Sequence, residues 1–312
     1  MIGIDVGGAN LKLVDGKRVT LQYCPLWEDA PLGDLLDAYR KAHPDPDASV
    51  VMSGELADCF ATKLDGIRWI VETVRGVYPD ALFYGVDGAF HRDPVGELAA
   101  ANWLATADFL RVRYPRAVLV DIGSTTTDIV PLTEFRKLLG LTDLGRLQRG
   151  YLLYTGLLRT SLATQLPSVV LKGVATPTCA EDFAIAADAH LVLGHISPRT
   201  YTCDAPDRGE KNVGASLRRL ARLVCADLDE IGPEGAMEIA RQFWEVQRDR
   251  IRAAADRVMR ECGVENVAVA GIGSSLVARE VGGLDLAREL GTVSDALPAY
   301  AVKEVALRGA GS

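Results

Sequence analysis

Two stretches of this chain share one grammar. Residues 2–12 read IGIDVGGANLK and residues 119–130 read LVDIGSTTTDIV. Each is an apolar strand ending in Asp, one apolar residue and Gly, followed by small or hydroxylated residues. Glycine after a strand lets the backbone turn sharply and approach a ligand with no Cβ in the way. Successive N–H groups in such a turn form a concavity for anions. An Asp at the strand end can hold a divalent cation, and magnesium favours one or two carboxylates completed by phosphate oxygens. The chain must therefore fold so that two such turns are presented together.

Placing Asp5 on Asp121 puts Gly7 on Gly123, Gly8 on Ser124, Lys12 on Asp128 and Leu13 on Ile129. In the first half, alternation predicts strands over 2–6, 11–14 and 18–23, with Asp15-Gly16 as a hairpin signal. Apolar spacing predicts helices over 32–41, 66–77 and 96–112, separated by strands over 49–52 and 81–85. At Ala117 the pattern restarts with a buried strand over 117–122 and a hairpin partner over 126–131. Further on, one helix is expected over 216–231. Another runs from near Pro233 to Cys262 and is closed by Gly263. A strand over 267–270 then enters a third glycine turn, GIGSS, ahead of a helix.

Three meandering strands followed by alternating helices and strands is the ribonuclease H-like order, which implies a mixed sheet covered by helices. The expected fold is α/β: two duplicated ribonuclease H-like (actin-like ATPase) domains with a cleft between them. The domains expected are 1–115 and 116–290, the second with helical insertions. Residues 291–312 are expected to pack back on the first domain.

The 312 residues are 48% hydrophobic and 24% charged, which is the composition of a globular chain. The net charge of -8 argues against nucleic acid, which needs a basic face. A phosphorylated small molecule stays allowed, because backbone amides and a metal ion hold it locally. No apolar run of about 18 residues exists, so no membrane span is expected. The N-terminus runs straight into a strand, which sets the expectation of a cytoplasmic protein. The six cysteines show no C-x-x-C spacing and read as free thiols. A homo-oligomer is compatible with the sequence, which does not fix the oligomeric state.

The candidate ligands for Mg²⁺ are Asp5 and Asp121. The candidate cofactor-binding residues are Gly7, Gly8, Asn10 and Lys12 in the first turn. They are Gly123, Ser124, Thr125 and Thr126 in the second, and Gly271, Gly273 and Ser274 in the third. Backbone N–H groups at Gly7, Gly8, Gly123 and Ser124 are the expected anion donors. Only one of Thr126 and Thr127 can point into a cleft, because side chains alternate along a strand. The plainer alternatives are a tight turn for any single D-x-G and a solvated strand residue for Lys12. There is no Walker A pattern, and GIGSSL lacks the third glycine of a dinucleotide fingerprint.

Two domains with DVGGAN and DIGSTTTD turns resemble the acetate kinase, sugar kinase, heat-shock chaperone and actin superfamily. Residues 5–12, 121–128 and 271–275 stand as its phosphate-1, phosphate-2 and adenosine loops. DIGSTTTDIVPL is similar to the hydantoinase/oxoprolinase branch. MSGELADCFATKLDGI (52–67), RGYLLYTGLLRT (149–160), EDFAIAADAHLVLG (181–194) and LRRLARLVCADL (217–228) together resemble the methanofuran-biosynthesis family. Departures from that pattern are Ala189-His190 in place of Val-Tyr and Tyr151-Leu152 in place of Glu-Leu.

Bacterial members of that family accompany tetrahydromethanopterin-linked one-carbon metabolism. Archaeal members join an aminomethylfuran-methyl diphosphate to the phenol oxygen of γ-glutamyltyramine and release diphosphate. The resemblance implies a transferase whose repeated turns hold a diphosphate with Mg²⁺, and whose second substrate is a phenolic acceptor. ATP stays open as the alternative ligand. It also implies a base for the phenol, with Glu55 and Asp58 as candidates, and Lys63 to stabilise the phenolate. Arg159, with Arg149, is left to grip either the diphosphate or the acceptor carboxylate. The rival readings are an ATP-dependent kinase of the same superfamily, a hydantoinase-like enzyme, and a nucleotide-responsive scaffold without catalysis.

Overall fold

The computed structural model describes residues 1–28 and 30–310. The first half opens with β1 (Ile2–Val6), β2 (Asn10–Asp15) and β3 (Arg18–Tyr23), then α1 (Leu32–Ala42), β4 (Ala48–Met52) and α2 (Lys63–Val77). It closes with β5 (Leu82–Tyr84), β6 (Phe90–His91) and α3 (Asn102–Leu110). These strands form a six-stranded sheet in the order β3-β2-β1-β4-β5-β6. β1 is antiparallel to β2 and parallel to β4, so every one of its residues is buried. That is why IGIDV reads as an unbroken apolar run rather than an alternation. Leu36, Ile67, Ile70 and Val74 from α1 and α2 pack beneath it with Ile4, Leu13 and Val50.

The second half runs through β7 (Ala117–Ile122), β8 (Thr127–Pro131), α4 (Phe135–Leu138), α5 (Asp143–Arg149) and β9 (Leu152–Leu153). A hairpin, β10 (Ser168–Leu171) and β11 (Val174–Pro177), leads to α6 (Ala186–Val192), α7 (Val213–Arg222) and α8 (Leu228–Cys262). The chain returns to the sheet through β12 (Asn266–Ala270), α9 (Ser274–Val281) and β13 (Leu284–Asp285). It ends with α10 (Ala287–Leu290) and α11 (Leu297–Ala310). The sheet order is β13-β12-β7-β8-β9.

Read from its own first strand, this second sheet repeats the plan of the first. Two antiparallel strands flank β7 on one side and two parallel strands on the other, as in β3-β2-β1-β4-β5. The fold is a mixed α/β architecture built on two ribonuclease H-like sheets. Strands of the first sheet lie within residues 2–91 and those of the second within 117–285. α11 lies on β1 and β4 beside α3. A Cβ on Gly3 would stand 1.9 Å from the Ala299 carbonyl oxygen, so glycine is what lets α11 approach β1. Gly311 and Ser312, the end of the segment expected to pack back, lie outside the described residues.

A shared core joins the halves. Val51 and Tyr84 of the first sheet and Leu119, Val130 and Ala268 of the second cluster with Trp103, Leu297 and Val302. Two expected helices are broken. Residues 96–112 form a 3-10 turn and then α3, separated by Ala100 at φ 47°. Residues 216–231 divide between α7 and the opening of α8, with Cys225 at φ 55°, and α8 is itself kinked at Gly232, φ 70°, so that its long straight part begins at Pro233 as the sequence predicts. Gly263 closes α8 in the left-handed conformation, as its position predicts. No described helix is long and apolar enough to cross a membrane.

Candidate functional site

The two glycine turns are built alike. β1 and β2 pair Asp5 with Lys12, and β7 and β8 pair Asp121 with Asp128, so the ladders reproduce the alignment of the two sequence stretches. The Gly7 N–H donates to the Asn10 carbonyl at 3.0 Å, and the Gly123 N–H to the Thr126 carbonyl at 2.9 Å. These two amides are engaged in closing the turns, contrary to the expectation that they face an anion. The Gly8 and Ser124 amides, one residue further on, have no hydrogen-bond partner among the described residues.

A strap follows the third strand of each sheet and lies along its turn. Cys24 and Leu26 donate to the carbonyls of Ala9 and Gly8 at 2.9 and 2.8 Å. Leu157 donates to Gly123, and Leu158 and Arg159 to Ser124, at 2.8–3.0 Å. The second strap is braced from α8. The Gln247 amide donates to Thr155 Oγ1 at 2.8 Å and to the Gly156 carbonyl at 2.9 Å, while its oxygen lies 2.9 Å from His190 Nε2. Thr127 is buried and donates to the Thr155 carbonyl at 2.7 Å, so it belongs to this bracing. Ser124, Thr125 and Thr126 stay half-buried on the open side.

Between the turns stands a charged centre. Lys12 Nζ lies 3.2 Å from Asp5 Oδ2. Burial opposes its charge, but Asp5, Asp121 and Asp128 together hold the ammonium above its ordinary value. Burial, then Asp128, pushes the Asp121 carboxyl up to about 7, with Lys12 opposing and Asp5 and Asp295 adding. Asp128 is raised by burial, against the pull of Arg146. Arg146, from α5, forms an ion pair with Asp128 and another with Asp143 at 2.7 Å, and its guanidinium lies 4.4 Å from the Trp103 ring centre. Asp295 reaches the centre from the 3-10 turn Gly291–Ala296 and is raised by burial.

Asp5 is 1% exposed, and its Oδ1 has no hydrogen-bond partner. Among the described residues, no three His, Cys, Asp or Glu side chains are grouped to hold a metal ion. Two carboxylates with a free oxygen suit Mg²⁺ only when phosphate oxygens complete its shell. The residues present therefore fit a metal that arrives with a diphosphate or triphosphate.

The third turn packs against the second sheet. A Cβ on Gly271, which is at φ 86°, would stand 2.3 Å from the Ile122 carbonyl and 2.5 Å from Asp121 Oδ1. Gly273 lies on the Ile122 side chain, and Ser274 is buried at the start of α9.

Of the candidates for acid–base work, Glu55 alone is buried, at 1% exposure, with Oε2 unpartnered. Burial raises its pKa, Asp143 adds to that, and Lys63 and the Ala100 amide oppose it. Lys63 opens α2 and acts on Glu55. Asp58 stands exposed on the surface, and no ion pair links it to Lys63 among the described residues. Arg159 lies over the Trp27 ring, 4.7 Å from its centre. Arg149 is exposed at the end of α5.

Arg146, Asp295 and Trp27 belong to the site although no motif in the sequence marks them. The one available signal was Asp128, which faces Asp121 and so requires a cation nearby. The loop around Asp207 is tied down rather than free. Arg219, fully buried, holds Asp188 through Nε and Nη2 at 2.9 and 2.7 Å and reaches Asp207 at 3.0 Å. Two surface hollows, around Asp256–Glu265 and Arg113–Ala117, lie at the opposite ends of β7 and β12 from the turns.

Two ribonuclease H-like sheets with paired glycine turns define an actin-like ATPase architecture. Similarity to solved structures is distant. A ROK family glucokinase from Streptomyces griseus has a TM-score of 0.44 at 14% identity over 98% of each chain. A nucleotide-free acetone carboxylase has a TM-score of 0.46 at 10% identity, over 94% of this chain and 51% of that one. The hydantoinase/oxoprolinase family model matches residues 47–303. A protein of Methanocaldococcus jannaschii named (4-{4-[2-(gamma-L-glutamylamino)ethyl]phenoxymethyl}furan-2-yl)methanamine synthase is 32% identical over 289 residues. That match covers 89% of this chain and 87% of the relative. A protein of the same name from Methanococcus vannielii is 33% identical over 177 residues, 57% of this chain and 80% of that one. The chain belongs to the hydantoinase/oxoprolinase family and, within it, to the family of these furan methanamine synthases.

Proposed function

We propose that the protein is a transferase of methanofuran-type cofactor biosynthesis. It joins an aminomethylfuran-methyl diphosphate to the phenol oxygen of γ-glutamyltyramine or a tyrosine-derived acceptor and releases diphosphate. The relatives' name supports this reading, because their product carries a phenoxymethyl link between a phenyl ring and a furan. The structural observation that carries it is the pair of unpartnered amides at Gly8 and Ser124, in the turns that follow Asp5 and Asp121, beside the Lys12–Asp5 ion pair.

The bond that breaks joins the furan methylene carbon to the diphosphate oxygen. Its electron pair leaves with the diphosphate, and the furan ring oxygen delocalises the positive charge left on carbon. Stabilising the departing charge is the main catalytic task, and fixed N–H dipoles and cations do it without reorganisation. Gly8 and Ser124 donate to the leaving group, and Lys12 supplies a fixed positive charge. Mg²⁺ held by Asp5 and Asp121 would neutralise further charge on the diphosphate. The phenol, with an ordinary pKa of about 10, attacks the carbon and gives its proton to Glu55. Burial of Glu55 raises its basicity, which suits that transfer.

The test is a reaction with Mg²⁺, the furanylmethyl diphosphate and γ-glutamyltyramine or tyrosine, without ATP, read by diphosphate release and product mass. Acceptor-dependent release with an ether-mass product supports the proposal. No product, together with ATP hydrolysis on adding ATP, would transfer the reading to a kinase or nucleotide switch.

A further inference from the structure

The two straps meet. Trp27 follows Leu26, whose amide is fixed on Gly8, and Arg159 has its own amide fixed on Ser124. One residue of each strap thus projects from a phosphate turn, and the guanidinium of one lies over the indole of the other. Trp27 is 37% exposed, and Tyr23, whose phenol feels the charge of Arg159, is 45% exposed. Among the described residues, the Arg159 side chain makes no hydrogen bond and no ion pair.

Stacking on an aromatic face uses only the plane of a guanidinium. It leaves the N–H donors in that plane free, and it fixes their direction. A fork held this way is matched to a carboxylate, which accepts two parallel hydrogen bonds. Arg159 lowers the Tyr23 phenol, against burial, Asp204 and Glu28, and it lowers the Cys203 thiol, which burial raises. The cation 3.2 Å from Asp5 at the charged centre is Lys12, whereas the guanidinium of Arg159 lies over the Trp27 ring. A second cation, Lys211, lies 5.8 Å from the Tyr201 ring centre and acts on the same Cys203 thiol.

We infer that Trp27 and Arg159 form the subsite that selects the acceptor, a phenol bearing a flexible arm that ends in a carboxylate. The methylenes of the arm run along the exposed indole, and the carboxylate is taken by the in-plane donors of Arg159. Because both straps lie on the phosphate turns, an arm held there directs its phenol toward the diphosphate carbon. This rests on the proposed transferase reaction and adds the residues that recognise its second substrate.

Two acceptors separate the possibilities: γ-glutamyltyramine, which carries the carboxylate, and tyramine, which does not. With the furanylmethyl diphosphate saturating, Arg159→Gln is expected to raise the KM for γ-glutamyltyramine by about 30- to 100-fold. The kcat and the KM for tyramine should each move less than about threefold, since neither involves the carboxylate pair. Trp27→Leu should raise the KM for γ-glutamyltyramine about tenfold through loss of stacking, and Trp27→Phe should largely restore it.

Equal effects on both acceptors, or a raised KM for the diphosphate with the acceptor KM unchanged, would overturn the inference. If the wild-type protein forms no ether, the proposed reaction fails and calorimetric binding of the two acceptors decides the subsite. Binding of γ-glutamyltyramine that Arg159→Gln weakens selectively upholds it. No binding, or equal weakening of both ligands, overturns it.

Discussion

Lys12 faces Asp5 across the β1–β2 ladder, with 3.2 Å between Nζ and Oδ2, at the register where Asp128 faces Asp121 across β7–β8. One frame is used twice and charged differently. The first copy holds an ion pair and the second holds two carboxylates. The like-charged pair is tolerated because Arg146 neutralises Asp128 from α5 and Lys12 acts across the centre. Asp121 is left with a carboxyl raised to about 7.

Lys12 therefore holds a structural charge pair in addition to its proposed place in the chemistry. Removing one partner of a buried pair strands the other charge, at a cost of about 3–5 kcal/mol. Lys12→Met should lose that much in urea unfolding and should have no measurable turnover. Lys12→Met with Asp5→Asn should recover part of the stability and none of the activity. A double variant no more stable than Lys12→Met would show that Asp5 is not the charge left stranded.

Asp5→Ala and Asp121→Ala each remove one of the two carboxylates that fit a metal-bound diphosphate. Each should lower turnover by about 10²- to 10³-fold or more, with a normal circular dichroism spectrum. Near-normal rates in both variants would remove the metal-clamp role.

Glu55→Gln keeps the shape of the side chain and removes its basicity. The kcat should fall by about 10²- to 10⁴-fold. In the wild type, kcat should rise with pH through an acid limb displaced above the ordinary carboxylate value, because burial raises Glu55 and the base acts when deprotonated. The pH profile of the Gln variant should lack that limb. The matching Asp58→Asn variant, altered on the exposed surface, should change kcat by less than about threefold if Glu55 is the base.

His190 predicts a pH dependence of stability. Burial, with His195 adding, lowers its pKa from 6.5 to about 3. The folded form thus binds this proton far less readily than the unfolded chain. The contribution is complete above pH 6.5 and is lost as the pH falls toward 3, at up to about 1.4 kcal/mol per pH unit. Asp121, raised to about 7, acts in the opposite sense over this range in both proteins, so the test is the difference between wild type and variant. In urea unfolding at pH 7.5, 6.0 and 5.0, the stability of the wild type relative to His190→Gln should fall as the pH falls. An identical slope in the variant would assign the effect elsewhere.

Much of the architecture was legible because each half begins with strands whose burial pattern is written directly in the residues. β1 and β7 are paired on both sides and read as apolar runs, and the glycine turns mark their ends. The two broken helices were not legible. Their apolar spacing continues through Ala100 and Cys225, neither of which is a breaker, so tertiary packing decides the interruption. In the site, Asp5, Lys12 and Asp121 could be read because they sit at fixed offsets from glycine. Arg146, Asp295 and Trp27 come from distant segments, and nothing local marks them as neighbours. The closed amides of Gly7 and Gly123 depend on carbonyls that only the folded turn brings near.

In the proposed reaction a phenol oxygen displaces diphosphate from carbon. The most direct test uses an acceptor labelled with ¹⁸O at the phenol, with the furanylmethyl diphosphate, Mg²⁺ and no ATP. The label should appear in full in the ether product, with none in the released diphosphate. An unlabelled product, label in the diphosphate, or no ether at all would contradict it.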